Sequence, residues 1–369
     1  MAKKGCLKKI FNFVLFVAFI ASIFIYPFWY EKQWHKVQGM YYVAVGDKYL
    51  RKTNFQKAIE QYKKGLSLYP EHYGAWFNLG NLYVVYEDYY SAIDAYDNAI
   101  KFNPNYVIAR MNYGIIASEK LGDFDGAIQQ YDKIIEIRRK PVYIPFVFNN
   151  LRSYKTNIGL AYYNKGVAYR QKSTYIDNDA VTKEMYLKKS IEAFKEAAKI
   201  LKNDYDTRYN LALSYHLNGD YNLAGLTYCK AIELSPMSYE AHYNLAVLLN
   251  HLKYYQDALK VMHKANALLS EDGDTNQTRY VFEVMNDVTR KILKDDSGRK
   301  YLAEEFGKDE INATVAFTDD GKIKTSEEMD TTLYEQYKVC NARALFRDED
   351  NLDEDEEAKN GGDKSLANL

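Results

Sequence analysis

The chain has 369 residues, 47% of them hydrophobic, which is ample for a core and excludes a chain disordered throughout. Its net charge of −1 conceals opposite ends: residues 1–36 carry +5, residues 295–369 carry −11, and the middle carries +5. So mild a basic excess argues against a nucleic-acid partner. Cys6, Cys229 and Cys340 lie far apart without metal-ligand spacing, so they suggest neither a disulfide framework nor a zinc site.

The first nine residues are basic, with Lys3, Lys4, Lys8 and Lys9. From Ile10 to Tyr30 there follow twenty-one residues without a charge, IFNFVLFVAFIASIFIYPFWY. As a helix at about 1.5 Å per residue, that run covers roughly 30 Å, the thickness of a hydrocarbon core. A signal peptide has a shorter apolar region ending in a small-x-small site. Here Phe16/Ala18 and Phe19/Ala21 set a ring where a small side chain is needed. The expectation is an uncleaved transmembrane helix over 10–30, ended or kinked at Pro27 and flanked by Tyr26, Trp29, Tyr30 and Trp34. Lys32 and Lys36, beside Glu31, follow it. The excess of lysines ahead of the segment places residues 1–9 in the cytoplasm and the rest on the far side, the periplasm in a bacterium.

A 34-residue period begins at Gly39. Its first unit carries Tyr42, Val45, Gly46, Tyr49, Ala58, Tyr62, Gly65 and Pro70; its second repeats the spacing with Trp76, Leu79, Gly80, Tyr83, Ala92, Tyr96, Ala99 and Pro104. A third unit has Asn112, Gly114, Gly122, Ala127 and Tyr131. A fourth, after an insertion, pairs Tyr162, Asn164, Gly166 and Tyr169 with Ser190, Phe194 and Ala197. The fifth runs from Asn210 through Ala212, Tyr215, Gly219, Ala224, Tyr228 and Ala231 to Pro236, and the sixth has Asn244, Ala246, Ala258 and Ala265. Two apolar stripes at helical spacing, split by a polar turn, make each unit a helix-turn-helix. Small residues at positions 8, 20 and 27 sit where two helices approach closely, and rings at 4, 11 and 24 fill the space that leaves. Proline at position 32 stops the second helix.

This spacing resembles the tetratricopeptide repeat family over residues 39–270. The resemblance implies an all-α, right-handed superhelical solenoid, here preceded by one transmembrane helix. Its repeats 1–3 span 39–139 and its repeats 4–6 span 159–270, with an irregular linker at 140–158 around Pro141 and Pro145. An amphipathic stretch at 275–294 reads as a capping helix. Residues 295–347 are poorly defined, although TVAFTDDGKIKT suggests a hairpin on Asp319–Gly321 and the stretch up to Phe346 looks helical. Residues 348–369 form a solvated acidic tail, expected to be disordered.

The resemblance also implies that positions 5 and 6 of the first helix face a concave groove. Position 6 is asparagine in five units running, Asn78, Asn112, Asn164, Asn210 and Asn244. A side-chain amide offers both a donor and an acceptor, so such a ladder could hold an extended polypeptide whatever its sequence. Position 5 is Phe77, Met111, Tyr163, Tyr209 and Tyr243, rings and a thioether suited to a peptide or an amphipathic helix. Both rows also admit a purely packing role. The clamp by which family members grip the acidic end of heat-shock chaperones needs cations. Here the corresponding places hold Phe77, Asn81, Asn112, Leu160 and Asn164, so a chaperone carboxylate is excluded as a partner.

Catalysis finds little footing. The six histidines are scattered, with no HExxH and no phosphate-binding glycine loop. Asp272, Asp274, Asn276 and Glu283 fall at places of a calcium loop, but Gln277 stands where the turn needs glycine, and helix capping explains them better. The expectation is therefore no enzyme, no metal and no cofactor. It is a membrane-anchored repeat scaffold that binds an extended or helical segment to help assemble an envelope, pilus or secretion complex. The alternatives are an organelle import receptor with cytosolic repeats, and an enzyme activity in the C-terminal quarter.

Overall fold

In the computed structural model the described residues are 2–137, 148–176, 179–269, 275–294, 297–298, 300–301 and 340–346. They are all helical or turn, and Cα packing divides the chain into two units, 1–143 and 144–369. The hairpin expected at Asp319–Gly321, the first two calcium-loop acids and the acidic tail lie outside the described residues.

The N-terminal unit stacks three helix pairs: α1 (Ala2–Arg51) on α2 (Phe55–Leu68), α3 (Tyr73–Val85) on α4 (Tyr89–Phe102), and α5 (Val107–Lys120) on α6 (Phe124–Ile137). Short polar side chains start these helices by accepting an orphan backbone N–H. Asn54 takes Lys57 N at 3.2 Å, Asp88 takes Ser91 N at 3.2 Å and Asp123 takes Gly126 N at 2.9 Å. Within each pair a glycine faces a ring. A Cβ at Gly46, Gly80 or Gly114 would come within 2.8, 2.7 or 2.6 Å of Tyr62, Tyr96 or Tyr131 respectively. All three tyrosines are essentially fully buried, so the period sets helix separation through these contacts.

The apolar run 10–30 is not a segment of its own. It is the leading part of α1, which passes through Pro27 without a break and packs its later turns on α2. Among the described residues no helix is long and apolar enough to cross a membrane. That overturns the expected single-pass membrane protein, together with its cytoplasmic N-terminus and extracytoplasmic repeats. The apolar run opens a 50-residue helix whose later part carries Glu31, Lys32, Lys36, Asp47, Lys48 and Arg51.

The C-terminal unit pairs α7 (Phe148–Thr174) with α8 (Ala180–Ile200), α9 (Tyr205–Asn218) with α10 (Tyr221–Leu234), and α11 (Tyr239–His251) with α12 (Tyr255–Leu268). Helix α13 (Thr275–Ile292) packs on α12 and α11, burying Val281, Met285, Val288 and Ile292. Helix α7 starts at Phe148, inside the stretch read as irregular linker, and the insertion of the fourth repeat lengthens α7 and α8 instead of forming a long loop. Gly166 lies against Phe194, where a Cβ would meet the ring at 3.0 Å. Repeats five and six carry Ala212 and Ala246 at the same position, both fully buried.

The turn inside the repeats has a common backbone. Thr53, Glu87, Gly219 and Lys253 hold position 15 with φ of 54°, 58°, 87° and 68°, and Gly122 follows one residue later at 69°. This left-handed conformation suits glycine and strains the other three.

The cysteines correct another expectation. Cys229, fully buried on α10, is disulfide-bonded to Cys340, 111 residues further on, with Cα atoms 5.1 Å apart. The bond holds a 3₁₀ turn, Asn341–Phe346, against α10. There Phe346 fills the space over Gly225, and Arg343 Nη1 lies 3.1 Å from Glu233 Oε1. A spacing of 111 residues carries no signature readable from the chain.

Candidate functional site

The position-6 asparagines lie on the first helix of the second to sixth pairs, the first pair having Ala44 there, and are partly buried except for Asn210, which is 8% exposed. Their amide N–H groups cross to the preceding repeat. In the N-terminal unit Asn78 Nδ2 donates to Asp47 Oδ1 and to the Tyr62 hydroxyl, both at 3.3 Å, while that hydroxyl donates to Asp47 at 2.6 Å. Asn112 Nδ2 donates to Asn81 Oδ1 at 3.1 Å, which also accepts from Tyr96 at 2.8 Å. In the C-terminal unit the acceptor is instead a phenol at position 5. Asn210 donates to the Tyr163 hydroxyl at 3.1 Å and Asn244 to the Tyr209 hydroxyl at 2.8 Å. Each of these two also donates to its own helix, at Asp206 O (2.8 Å) and Glu240 O (3.0 Å). Asn164 occupies the corresponding place on α7.

The ladder thus has a structural half. The amide N–H groups join consecutive repeats, whereas the Oδ1 atoms of Asn78, Asn112, Asn210 and Asn244 accept no hydrogen bond among the described residues. A backbone N–H brought to the asparagines of either unit would find acceptors, not donor–acceptor pairs.

The position-5 rings divide in the same way. Phe77 is packed into the N-terminal unit, 5.2 Å from Tyr106 and 6.0 Å from Tyr96 between ring centroids. Tyr163 sits edge-on to Phe194 at 5.6 Å, and Tyr209 stacks on Tyr205 at 5.7 Å. Tyr243 is partly buried, and burial raises its pKa, with Glu283 and Tyr280 adding to the effect. Burial raises Tyr209 as well, Glu240 adding to it and Arg170 opposing it.

Arg170, which the sequence reading passed over, is a partly buried charge beside these groups. It lies on α7 with its guanidinium 5.8 Å from the Phe194 ring centroid and Nη1 3.4 Å from Asn210 O. Burial lowers its pKa, and the hydroxyls of Tyr163, Tyr209 and Tyr228 oppose that shift. The structure therefore brings Tyr163, Tyr209 and the Asn210 backbone carbonyl together near an arginine, and links Asn244 to Tyr209. Among the described residues no three His, Cys, Asp or Glu side chains gather where a metal could bind. His242 is buried with Nδ1 2.8 Å from Ser238 O, and burial pushes its pKa down to about 4.

With this geometry in hand, the comparisons decide the repeat type. Residues 44–89, 73–106 and 205–236 each match the family described as tetratricopeptide repeat. The chain contains tetratricopeptide repeats. It is 26% identical over 224 residues to the BBSome complex member BBS4 of Bos taurus, covering 61% of this chain but only 37% of the bovine protein. It is 32% identical over 88 residues to a UDP-N-acetylglucosamine–peptide N-acetylglucosaminyltransferase of Giardia intestinalis, covering 24% of this chain and 6% of the enzyme. Among solved structures it is similar to PilW, described as a widely conserved type IV pilus biogenesis factor. That match has 15% identity and a TM-score of 0.46, covering 62% of this chain and 92% of that one. The tetratricopeptide repeats make the chain an all-α repeat solenoid and a scaffold for protein–protein interaction.

Proposed function

We propose that the chain helps a multi-protein complex assemble by holding an extended or helical polypeptide segment along the concave face formed by the first helices of its repeats. The observation that carries this reading is the asparagine Oδ1 atoms without hydrogen bonds within each unit, set in the C-terminal unit beside the aromatic rings of position 5. Within each unit they offer main-chain recognition without chemistry, and the rings add apolar contact area. Likeness to a BBSome complex member supports a part in a larger assembly; envelope, pilus and secretion machineries are assemblies of that kind. The transferase match covers 6% of that enzyme and extends no catalytic role to this chain. The import-receptor alternative needs an anchored chain and falls with the anchor.

Affinity capture from a lysate, comparing the full chain with the Asn112→Ala/Asn210→Ala double variant, tests the proposal. Matched circular dichroism must show that the joints lost with the amides have not unfolded it. Loss of prey supports asparagine-mediated binding, and an identical prey set removes it.

A further inference from the structure

Repeat five departs from the period at two places one helical turn apart. Position 21 is Ile59, Ile93, Ile128, Ile191 and Leu259 in the other five units, but Gly225 here. Position 25 is Lys63, Asp97, Asp132, Lys195 and His263 in the others, exposed or half-buried, but a fully buried Cys229 here. One segment answers both departures. The missing aliphatic side chain leaves a hollow on α10 that Phe346, itself 1% exposed, fills, and a Cβ on Gly225 would collide with that ring. One turn along, Cys229 is bonded to Cys340. At the rim Arg343 Nη1 lies 3.1 Å from Glu233 Oε1, an acid whose other oxygen holds Lys230 at 3.1 Å. Against these contacts stands the ordering of the six-residue turn Asn341–Phe346. One buried ring, the buried methyl of Ala342 and a partly exposed ion pair return less than that ordering costs. The covalent bond makes up the difference.

We infer that the Cys229–Cys340 bond is a redox-operated clasp. Oxidised, it holds residues 341–346 in the socket of repeat five; reduced by a dithiol, it lets them go. A thiolate of the dithiol attacks Cys340 Sγ, and Cys229 leaves as a thiolate that takes up a proton. The second thiol of the dithiol then displaces Cys340, so the chain gains two thiols and the dithiol becomes a cyclic disulfide. Access needs only local opening. Cys340 adjoins the short turn and is 8% exposed, so lifting that turn bares the bond without parting any helix pair. Release leaves on α10 a hollow sized for one aromatic ring, beside a free Cys229 thiol. The socket lies on a second helix, so the clasp is independent of the groove of first helices proposed above.

The test uses the full-length chain with dithiothreitol as the dithiol. Counted in denaturant, one of the three cysteines should be a free thiol before reduction and all three after it. Hydrogen exchange of the reduced, still folded chain should show residues 341–346 losing protection to the level of Cys340→Ser, with α9, α11 and α12 unchanged. Phe346→Ala, which empties the socket, should be half reduced at a roughly tenfold lower ratio of reduced to oxidised dithiothreitol. Gly225→Ile, which restores the aliphatic of the other repeats, should shift that ratio the same way and keep the melting temperature of the reduced wild type or exceed it. Three thiols before reduction, or residues 341–346 still protected after it, overturn the inference. So does a bond that yields only once the repeats have unfolded, or a loss of protection spread across α9 to α12, since either makes the bond a brace of the whole unit. Unchanged ratios in both variants overturn the socket.

Discussion

The two units build the same joint from different parts. In the N-terminal unit position 9 is polar, Asp47 and Asn81, while position 5 is Val43 and Phe77, and the incoming amide meets the position-9 oxygen together with a buried tyrosine hydroxyl. In the C-terminal unit position 9 is Val167 and Leu213, while position 5 is Tyr163 and Tyr209, and the phenol accepts instead. A partly buried N–H needs some oxygen and is indifferent to which helix turn supplies it. What the repeat preserves is the donor. Its acceptor moves by one helical turn, from position 9 to position 5.

The largest change should come from the rings both units share. Tyr96→Ala removes a side chain 1% exposed and leaves a void over Gly80, and about 3–5 kcal/mol of stability should go with it in urea unfolding. Tyr228→Ala in the other unit should cost as much, and a loss under about 1 kcal/mol at either place would mean the ring does not set the helix separation.

Next come the joints. Asn81→Leu strands the Tyr96 hydroxyl and the Asn112 amide together, at about 2 kcal/mol. Adding Phe77→Tyr supplies the acceptor used in the other unit and should recover roughly half of that. Tyr163→Phe should cost only about 1 kcal/mol, since Asn210 keeps its bond to Asp206 O. No rescue by Phe77→Tyr would break the equivalence of the two designs.

Acid should weaken the C-terminal unit in a defined window. His242 binds a proton in the unfolded chain below an ordinary pKa of 6.5, but in the fold only near 4. Its contribution is complete above pH 6.5 and is lost as pH falls towards 4, by roughly 3 kcal/mol. Hydrogen exchange at α11 and α12, followed between pH 7 and 4.5, should show it, and His242→Gln should remove part of the trend, the remainder belonging to His263 on α12, which burial also pushes down to about 4.

The smallest effects belong to the turns. Gly219→Ala forces a Cβ into the left-handed region and should cost about 1 kcal/mol, whereas Glu87→Gly should be neutral or slightly stabilising. A calorimetric comparison of the two melting shifts is sufficient.

Which parts were legible follows from the range of the interaction. The pairing of small residues with rings recurs every 34 residues, so helices, register and the position-6 amides could be read directly. The acceptors could not, because Asp47 and Tyr163 are ordinary first-helix residues until a neighbouring repeat is laid against them. Left-handed turns announce themselves at Gly122 and Gly219 but not at Thr53, Glu87 or Lys253. Arg170 lies in the run YRQK, which reads as a solvated face, and only the fold sets it against Phe194. Cys229 and Cys340 meet through a segment with no repeat spacing at all. The apolar run at 10–30 is the strongest local signal in the sequence, yet it belongs to a helix that continues to Arg51, which local apolarity does not show.

Each joint has its donor in one repeat and its acceptor in the one before, which makes the period a connector with matching ends. Excising residues 73–106 would bring Asn112 up to Asp47 and Tyr62. Excising residues 205–238 would bring Asn244 up to Tyr163. Either cut leaves a complete seam, so whole-period deletions or duplications inside a unit can shorten or lengthen the array without leaving an unmatched amide at the splice.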